Sequence, residues 1–423
     1  MNIAVVGAGG REHAIIRKLK ENQTIEKIYA LPGNGGISFD AECVDIGAKD
    51  IPAIVKFAKE NEIDFVVVTP DDPLVLGAVD ALHEIGIPCF GPEKAAAAIE
   101  GSKVFAKDFM KKYNIPTASY AVFSDAAAAL EYLKTAPYPT VIKADGLALG
   151  KGVVIAETFT QAEFAVQSIM EDKIFGESGS RIVIEEFLVG EEVSVLSFTD
   201  GKALVPMISS MDHKRAHDND EGKNTGGMGT IAPNPFYTQS IAQECMETIF
   251  LPTIRGMAAE GRRFKGCLYF GLILTKDGPK VIEYNCRFGD PETQVVLPLL
   301  KTDLLTIMLA VESETLDKIR VEFSNDSACC VIIASGGYPE SYKTGYEIHF
   351  NADKDSDAVI YHAGTKLVDG HLVNAGGRVL GVTATADTLE NAIKKAYDNV
   401  KNVYFTDSFY RADIGKKALA CAK

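Results

Sequence analysis

The sequence predicts a multidomain protein of mixed α/β and α+β class: a doubly wound parallel sheet first, an α+β unit in the middle and a small β-rich domain last. Three observations predict it. Strand-like and helix-like periods alternate through the first hundred residues, the pattern of a parallel sheet wound on both faces. Between Ser119 and Leu188 strands recur at hairpin rather than crossover spacing. From Ala328 a fresh run of β-branched strands begins, closed by a helix near Leu389–Val400.

In order, Asn2–Val6 is a short apolar strand and Glu12–Glu21 a helix with Ala14, Ile15 and Leu19 on one side. Lys27–Ala30 is a strand, Ile51–Glu60 a helix, Phe65–Val68 a strand and Leu74–Glu84 a helix. Sites in such sheets lie beyond the strand C-termini, so the loops Gly7–Arg11, Leu31–Gly36 and Thr69–Pro73 are the ones to watch. Lys103–Tyr113 is an amphipathic helix stopped by Ile115-Pro116, since proline cannot continue it. Glu191–Pro206 reads as a hairpin turning at Asp200-Gly201, and Ser209–Pro235 as a long polar loop. Loops of that length are uncommon without a function. Thr238–Glu260 is a long helix, followed by strands Cys267–Thr275 and Lys280–Cys286 and a helix over Asp303–Glu312.

The 423 residues suggest about three domains. No apolar run approaches the ~18 residues of a membrane span, and MNIAVVGAGGREH reads as a first strand, not a signal peptide. Eight scattered cysteines without a CxxC make neither a zinc framework nor a disulfide scaffold, and a reducing cytoplasm fits best. The net charge of −15 argues against nucleic acid as a partner. An anionic substrate must therefore find locally gathered lysines, arginines, backbone amides and metal against the global field.

The densest chemistry lies in VIEYNCRFGDPETQ, Val281 to Gln294. Side chains two apart on a strand share a face, so Glu283 and Asn285 present two hard oxygen donors suited to magnesium or manganese. Arg287 follows on the same face if the strand persists, and Asp290 and Glu292 add acids beyond it. Such a set points to phosphoryl transfer. Val6-Gly7-Ala8-Gly9-Gly10-Arg11-Glu12 fails the dinucleotide fingerprint, because Glu12 stands where the third glycine would be. What remains is a helix N-terminus with open amides beside Arg11, a phosphate cradle. Lys143 and Lys151 flank a glycine-bearing loop, Ala144–Gly152, which is not a Walker A loop because Gly152 replaces its Ser or Thr. Ile182–Leu188 is a buried strand running into a hinge, read as a sheet edge whose free amide and carbonyl match an adenine. In the long loop, Asp212-His213-Lys214-Arg215 gathers cations against an acid, and Asn224-Thr225-Gly226-Gly227-Met228-Gly229 offers an anion nest. His213 and His217, at i and i+4, could suggest metal ligands, but no helical pattern supports them, and they read as solvent- or substrate-facing.

RFGDPETQ after a strand ending in E-x-N resembles the signature of the phosphoribosylamine–glycine ligase family of the ATP-grasp superfamily. The resemblance spans nearly the whole chain, from GAGGREH to HAGT (His362–Thr365) and NAGGRVL (Asn374–Leu380). It implies a pre-ATP-grasp domain over 1–101, an ATP-grasp small subdomain over 102–190, a large subdomain over 191–325 and a C-terminal domain over 326–423. It implies ATP contacts at Lys103, Lys143, Lys151, Gly152, Glu185, Glu186, Phe187, Leu188 and Glu192, with Glu192 on the ribose. Contacts to glycine and 5-phosphoribosylamine fall to Gly9, Arg11, Asn34, Asp71, Asp212, Lys214, Asn224, Thr225, Gly227 and Asp290. Arg287 and Lys143 are the expected catalytic cations, and Glu283 and Asn285 the ligands of Mg2+ or Mn2+. The family's third loop is typically GPExPL; Thr69 and Asp71 depart from it, shortening the acid and stiffening the turn. The preceding strand, Cys267–Thr275, offers no further acidic metal ligand. The implied reaction joins glycine to phosphoribosylamine at the expense of ATP, and a transient contact with the enzyme that makes the labile amine is a further hypothesis. A sister carboxylate–amine ligase of the same fold and a non-catalytic nucleotide-binding scaffold are the alternatives.

Overall fold

The computed structural model describes residues 1–147, 152–351 and 357–421. Its first sheet is parallel, in the spatial order Glu42–Cys43, Lys27–Pro32, Asn2–Gly7, Phe65–Val68, Cys89–Phe90. Both faces are covered, as the continuous apolar strands require: Ala4, Val6, Val66 and Val68 enter one core, Ile3, Val5, Phe65 and Val67 another. Val6 pairs with Leu31 on one side and Val68 on the other, so the three loops beyond these strands lie side by side. The helix expected over Leu74–Glu84 is two helices, Asp71–Leu76 and Ala78–Glu84, broken at Gly77. Gly77 sits at φ +98°, a left-handed conformation that glycine adopts without a Cβ clash.

The second sheet is antiparallel, ordered Tyr120–Phe123, Ile182–Glu186, Thr140–Ala144, Val153–Ala156. Helices Ala126–Leu133 and Phe159–Val166 pack on it through Ala129, Leu133, Ile142, Ala162 and Val166. The third sheet runs Leu204–Pro206, Glu191–Thr199, Gly266–Thr275, Gly278–Asn285. The long helix behind it is continuous from Gln239 to Ala259 but passes through a π turn at Met246–Phe250.

The stretch expected to be a long polar loop is partly strand. Met211–Asp212 and Gly229–Ala232 join Ser327–Ser335, Arg378–Ala386 and Ala358–His362 in one sheet, on which helix Leu389–Val400 packs. Between them Arg215–His217 and Glu221–Asn224 form a small hairpin. The strands are too short to show a period, and Ser327–Ser335, on which Gly229–Ala232 pairs, lies about a hundred residues on, so no local pattern announces them.

Candidate active site

Strand Gly278–Asn285 carries Glu283 and Asn285. Its ladder with Gly266–Thr275 slips between Gly271 and Leu272, which pair with Glu283 and Val281 and leave Ile282 unopposed. A bulge of this kind releases a backbone group from the ladder, and the Ile282 carbonyl accepts from the Lys143 ammonium at 3.1 Å. Gly271 makes room opposite: a Cβ there would sit 3.0 Å from Glu283 Cγ. Burial would push the Glu283 carboxyl up, but Lys214, Lys143, Lys103 and Arg287 together hold it below its ordinary range. Four segments of the chain thus bring cations to this one carboxylate and favour its charged form.

The strand ends at Asn285, so Arg287 reaches the site from the turn beyond. Its Nη2 donates to Asn285 Oδ1 at 3.0 Å and lies 3.3 Å from Glu100 Oε1. Asn285 Nδ2 and Arg287 Nε are buried without a hydrogen-bond partner, polar demand that a ligand would satisfy. Among the described residues no group of three or more His, Cys, Asp or Glu side chains converges as a metal cage. Two oxygen donors beside buried cations suit a divalent ion completed by phosphate and water better than a closed protein site.

On the second sheet, Glu185 is clasped by two buried lysines: Lys143 Nζ is 3.0 Å from Oε1 and Lys107 Nζ 2.8 Å from Oε2. Burial draws the Lys107 ammonium down to about 8 against the pull of Glu185. Lys103 donates to the Gly146 carbonyl at 2.9 Å, and Asp145 accepts from the Val104 amide and the Ser102 hydroxyl, each at 2.8 Å. The glycine loop is thus pinned at its first residues. Gly152, at its far end, accepts from the Ala144 amide at 2.9 Å; Lys151 lies outside the described residues.

Ile182–Glu186 is not a sheet edge. It pairs with Tyr120–Phe123 on one side and Thr140–Ala144 on the other, and the Glu185 carbonyl also accepts from Thr140 Oγ1 at 3.0 Å. The backbone leaves the sheet only at Phe187 and Leu188, so the part of the expected base-binding segment free of ladder bonds is its second half. Glu186 accepts from the Ser119 hydroxyl at 3.1 Å. Glu192 lies 2.9 Å from the Lys214 ammonium, whose own charge it favours.

The first glycine loop does not leave its Gly9 amide open. Glu12 folds back over the helix N-terminus, where one carboxylate oxygen accepts from the Gly9 amide and the other meets Arg11 Nε at 2.6 Å and Thr69 Oγ1 at 2.7 Å. Glutamate three residues after the cap is the acidic half of a capping box, the half that a glycine cap still allows, and that spacing is legible in the sequence. Arg11 Nη1 donates to the Phe288 carbonyl at 3.0 Å, joining this loop to the RFGDPE turn. The Asn34 side chain is fully engaged: Nδ2 donates to the Ala8 and His362 carbonyls, and Oδ1 accepts from the Gly36 and Ile37 amides, all at 2.9 Å. It clasps the PGNGG loop to HAGT, and a substrate contact there is left to the backbone. Asp71 begins its helix and shares the field of Arg287 and Glu100.

The long segment closes the opposite side. Asp212 is pushed well above the ordinary carboxylate range by burial and by Glu292 beside it, against Lys214 and Arg378; its Oδ1 has no partner. Gly227 (φ +115°) runs so close that a Cβ would meet that oxygen at 2.5 Å. Thr225 caps its own nest, with Oγ1 accepting from the Gly227 amide at 2.9 Å and donating to the Lys214 carbonyl at 2.8 Å; Asn224 is exposed. Arg378, from the C-terminal sheet, donates to the Gly226 and Asp290 carbonyls at 2.7 Å and lies 3.4 Å from the Asp290 carboxylate. His213 is neither solvent- nor substrate-facing. It is buried, with Nε2 accepting from the Gly415 amide at 3.1 Å and Nδ1 facing the Gly229 carbonyl at 3.2 Å. Four residues escaped the sequence reading: Arg378, Lys107, Glu100 and Tyr269. The Tyr269 hydroxyl lies 2.8 Å from Ser194 Oγ and 3.1 Å from Glu292 Oε1. Arg378 sits within NAGGRVL, the one signal that marked it.

A lysine-bearing strand leading into a glycine loop, a metal-type strand and a hinge between two antiparallel sheets, set against a parallel N-terminal sheet, define an ATP-dependent ligase of the ATP-grasp class. Family models of phosphoribosylglycinamide synthetase match the N domain over 1–100, the ATP-grasp domain over 101–293 and the C domain over 328–417. The chain belongs to the phosphoribosylglycinamide synthetase family. It is 47% identical to the phosphoribosylamine–glycine ligase of Clostridium acetobutylicum over 98% of this chain and 100% of that one. With the Escherichia coli ligase it shares 46% identity over 99% of each. The crystal structure of the Thermotoga maritima ligase superposes with a TM-score of 0.84 at 34% identity, covering 98% of this chain and 100% of that one. Biotin carboxylase from Campylobacter jejuni shares the fold alone, with a TM-score of 0.76 at 16% identity over 97% of this chain and 92% of that one.

Proposed function

We propose that the chain joins glycine to 5-phosphoribosylamine, giving glycinamide ribonucleotide, ADP and phosphate in purine biosynthesis. The observation that carries this reading is the Glu283 carboxylate with Lys103, Lys143, Lys214 and Arg287 around it: acid and cations for a triphosphate in an otherwise acidic protein. Glycine's carboxylate is a poor electrophile, so its oxygen attacks the γ-phosphorus in line and ADP leaves. The sugar amine then attacks the acyl carbon of glycyl phosphate, and phosphate leaves. The protein's part is to align two substrates and neutralise developing charge.

In this reading Lys143 and Lys103 meet the phosphates, Phe187 and Leu188 the base, and Glu192 the ribose. Arg287 stabilises the transferring phosphoryl group. Asp212, Lys214, Gly227 and Asp290 frame glycine and the amine, and Arg11 faces the sugar phosphate. Glu283 and Asn285 would hold Mg2+ or Mn2+, which when bound supplies Lewis-acid neutralisation of the phosphoryl oxygens. The domain divisions we propose remain 1–101, 102–190, 191–325 and 326–423, with the strands at Met211–Asp212 and Gly229–Ala232 an arm of the third region laid into the sheet of the fourth.

No helix among the described residues is long and apolar enough to cross a membrane; a cytoplasmic location and direct hand-over of the amine are part of the proposal. Trapping that shows complete equilibration of the amine with bulk would defeat the hand-over. The reaction itself is tested by phosphate release from ATP with each amino acid, with and without phosphoribosylamine. Release that needs both glycine and the amine supports the reading; glycine-independent release, or none, selects another ligase or a scaffold.

A further inference from the structure

Glu100 stands at the junction between the parallel domain and the sheets beyond it, in the helix Lys94–Gly101, and nothing in the reaction scheme uses it. It is buried, yet one oxygen accepts from the Cys286 amide at 2.7 Å and the other lies 3.3 Å from Arg287 Nη2. A single carboxylate therefore fixes both the backbone just past the metal-type strand and the guanidinium that follows. Arg287 also donates to Asn285 Oδ1 at 3.0 Å and to its neighbour's carbonyl, Phe288 O, at 3.2 Å, and Glu100 is the one carboxylate paired with it among the described residues. Two residues after Glu100, Ser102 and then Lys103 and Val104 hold Asp145 and Gly146 at the start of the glycine loop. The junction thus touches Arg287 at one end and the glycine loop at the other.

From this geometry we infer that Glu100 is a positioning residue for the phosphoryl-transfer step, holding the Arg287 guanidinium beside Asn285 and tying its placement to the junction that carries Lys103. The inference rests on the reading of Arg287 given above. A buried carboxylate serves here because an ion pair fixes direction as well as distance, and because removing one partner of a buried pair leaves the other uncompensated.

Glu100→Gln tests it. Glutamine keeps the size and an acceptor for the Cys286 amide but loses the charge that holds Arg287. We expect kcat to fall about tenfold or more, the effect of a displaced guanidinium at the reacting centre, with the KM for ATP nearly unchanged. In an Arg287→Ala background the same substitution should cost nothing further, because coupled residues are non-additive. A role confined to capping Cys286 would leave Glu100→Gln at wild-type kcat, which overturns the proposal. So would an equal loss in the Arg287→Ala background. The crystal structure of Glu100→Gln gives a readout independent of turnover: Arg287 is expected to leave residue 100 while the Cys286 amide stays bonded, and an unmoved guanidinium overturns the inference. If the wild-type chain shows no glycine- and amine-dependent phosphate release, the ligase reading fails by itself, and the crystallographic arm still decides Glu100.

Discussion

The Thr69 hydroxyl lies 2.7 Å from the buried Glu12 carboxylate and also against the Val6 carbonyl, so one proton is shared between a strand end and a helix cap. Thr69, where the resemblance leads one to expect glycine, thus has two acceptors for its hydroxyl. It helps Arg11 and the Gly9 amide hold Glu12 over the helix N-terminus. Thr69→Val, of nearly the same shape, removes that donor inside the protein. We predict a loss of about 1–3 kcal/mol, seen as a lower urea midpoint; an unchanged midpoint would mean Glu12 is held adequately by Arg11 alone.

Arg287→Ala should lower turnover far more than nucleotide affinity. Removing a charge stabiliser that acts mainly in the transition state costs about 10²–10³ in kcat. Steady-state kinetics alongside ATP titration would check it, and equal losses in both would strip Arg287 of its transition-state role.

Glu283→Gln should weaken Mn2+ binding about tenfold or more, followed by electron paramagnetic resonance of the free ion in the presence of ADP. Glu283 is the one acid in its ring of cations that is held ionised on the metal-type strand, and Asn285 already shares its oxygen with Arg287. Manganese affinity equal to wild type would move the ion elsewhere.

Acid should destabilise the protein through His213 and His362. Burial, then Arg411, draws His213 down to about 4, and burial, then His13, draws His362 down to about 3. Both stay neutral in the folded chain while the unfolded chain takes up protons near the ordinary value of about 6.5. Between those limits the unfolded state binds more protons, so stability falls as pH falls from about 6.5 toward 4. Urea midpoints at pH 7.5, 5.5 and 4.5 would trace the slope. In His213→Gln the slope should flatten, and an unaltered slope would exclude His213 as a contributor.

The parallel sheet, the hairpins and the glycine loops were legible because each is announced within a few residues: period, turn chemistry or a run of small residues. Glu283 and Asn285 were legible because two-residue spacing on a strand settles which side chains share a face. What stayed hidden depends on partners far along the chain. Ile182–Glu186 reads as an edge until Tyr120–Phe123 pairs beside it. Arg378 reaches Asp290 across almost ninety residues, and no spacing rule connects them. The closure of the Gly9 amide by Glu12 is the exception: a local signal is present, but at the place of the fingerprint's third glycine Glu12 reads as a departure from the motif and not as an arriving carboxylate.

The arm that carries Asp212 and Lys214 completes its ladder on a strand synthesised much later: Gly229 pairs with Val331 and Ala232 with Ala328. On the ribosome, Asp212 and Lys214 must therefore emerge long before the edge that will hold them exists. Nascent chains stalled short of residue 327 should be cut by protease between the 209 and 235 positions, and those stalled well past residue 386 should resist. The side of the cleft that we propose handles glycine and the amine would be among the last parts of the molecule to ripen, and a chain interrupted at that stage would expose unpaired strand edges to its neighbours.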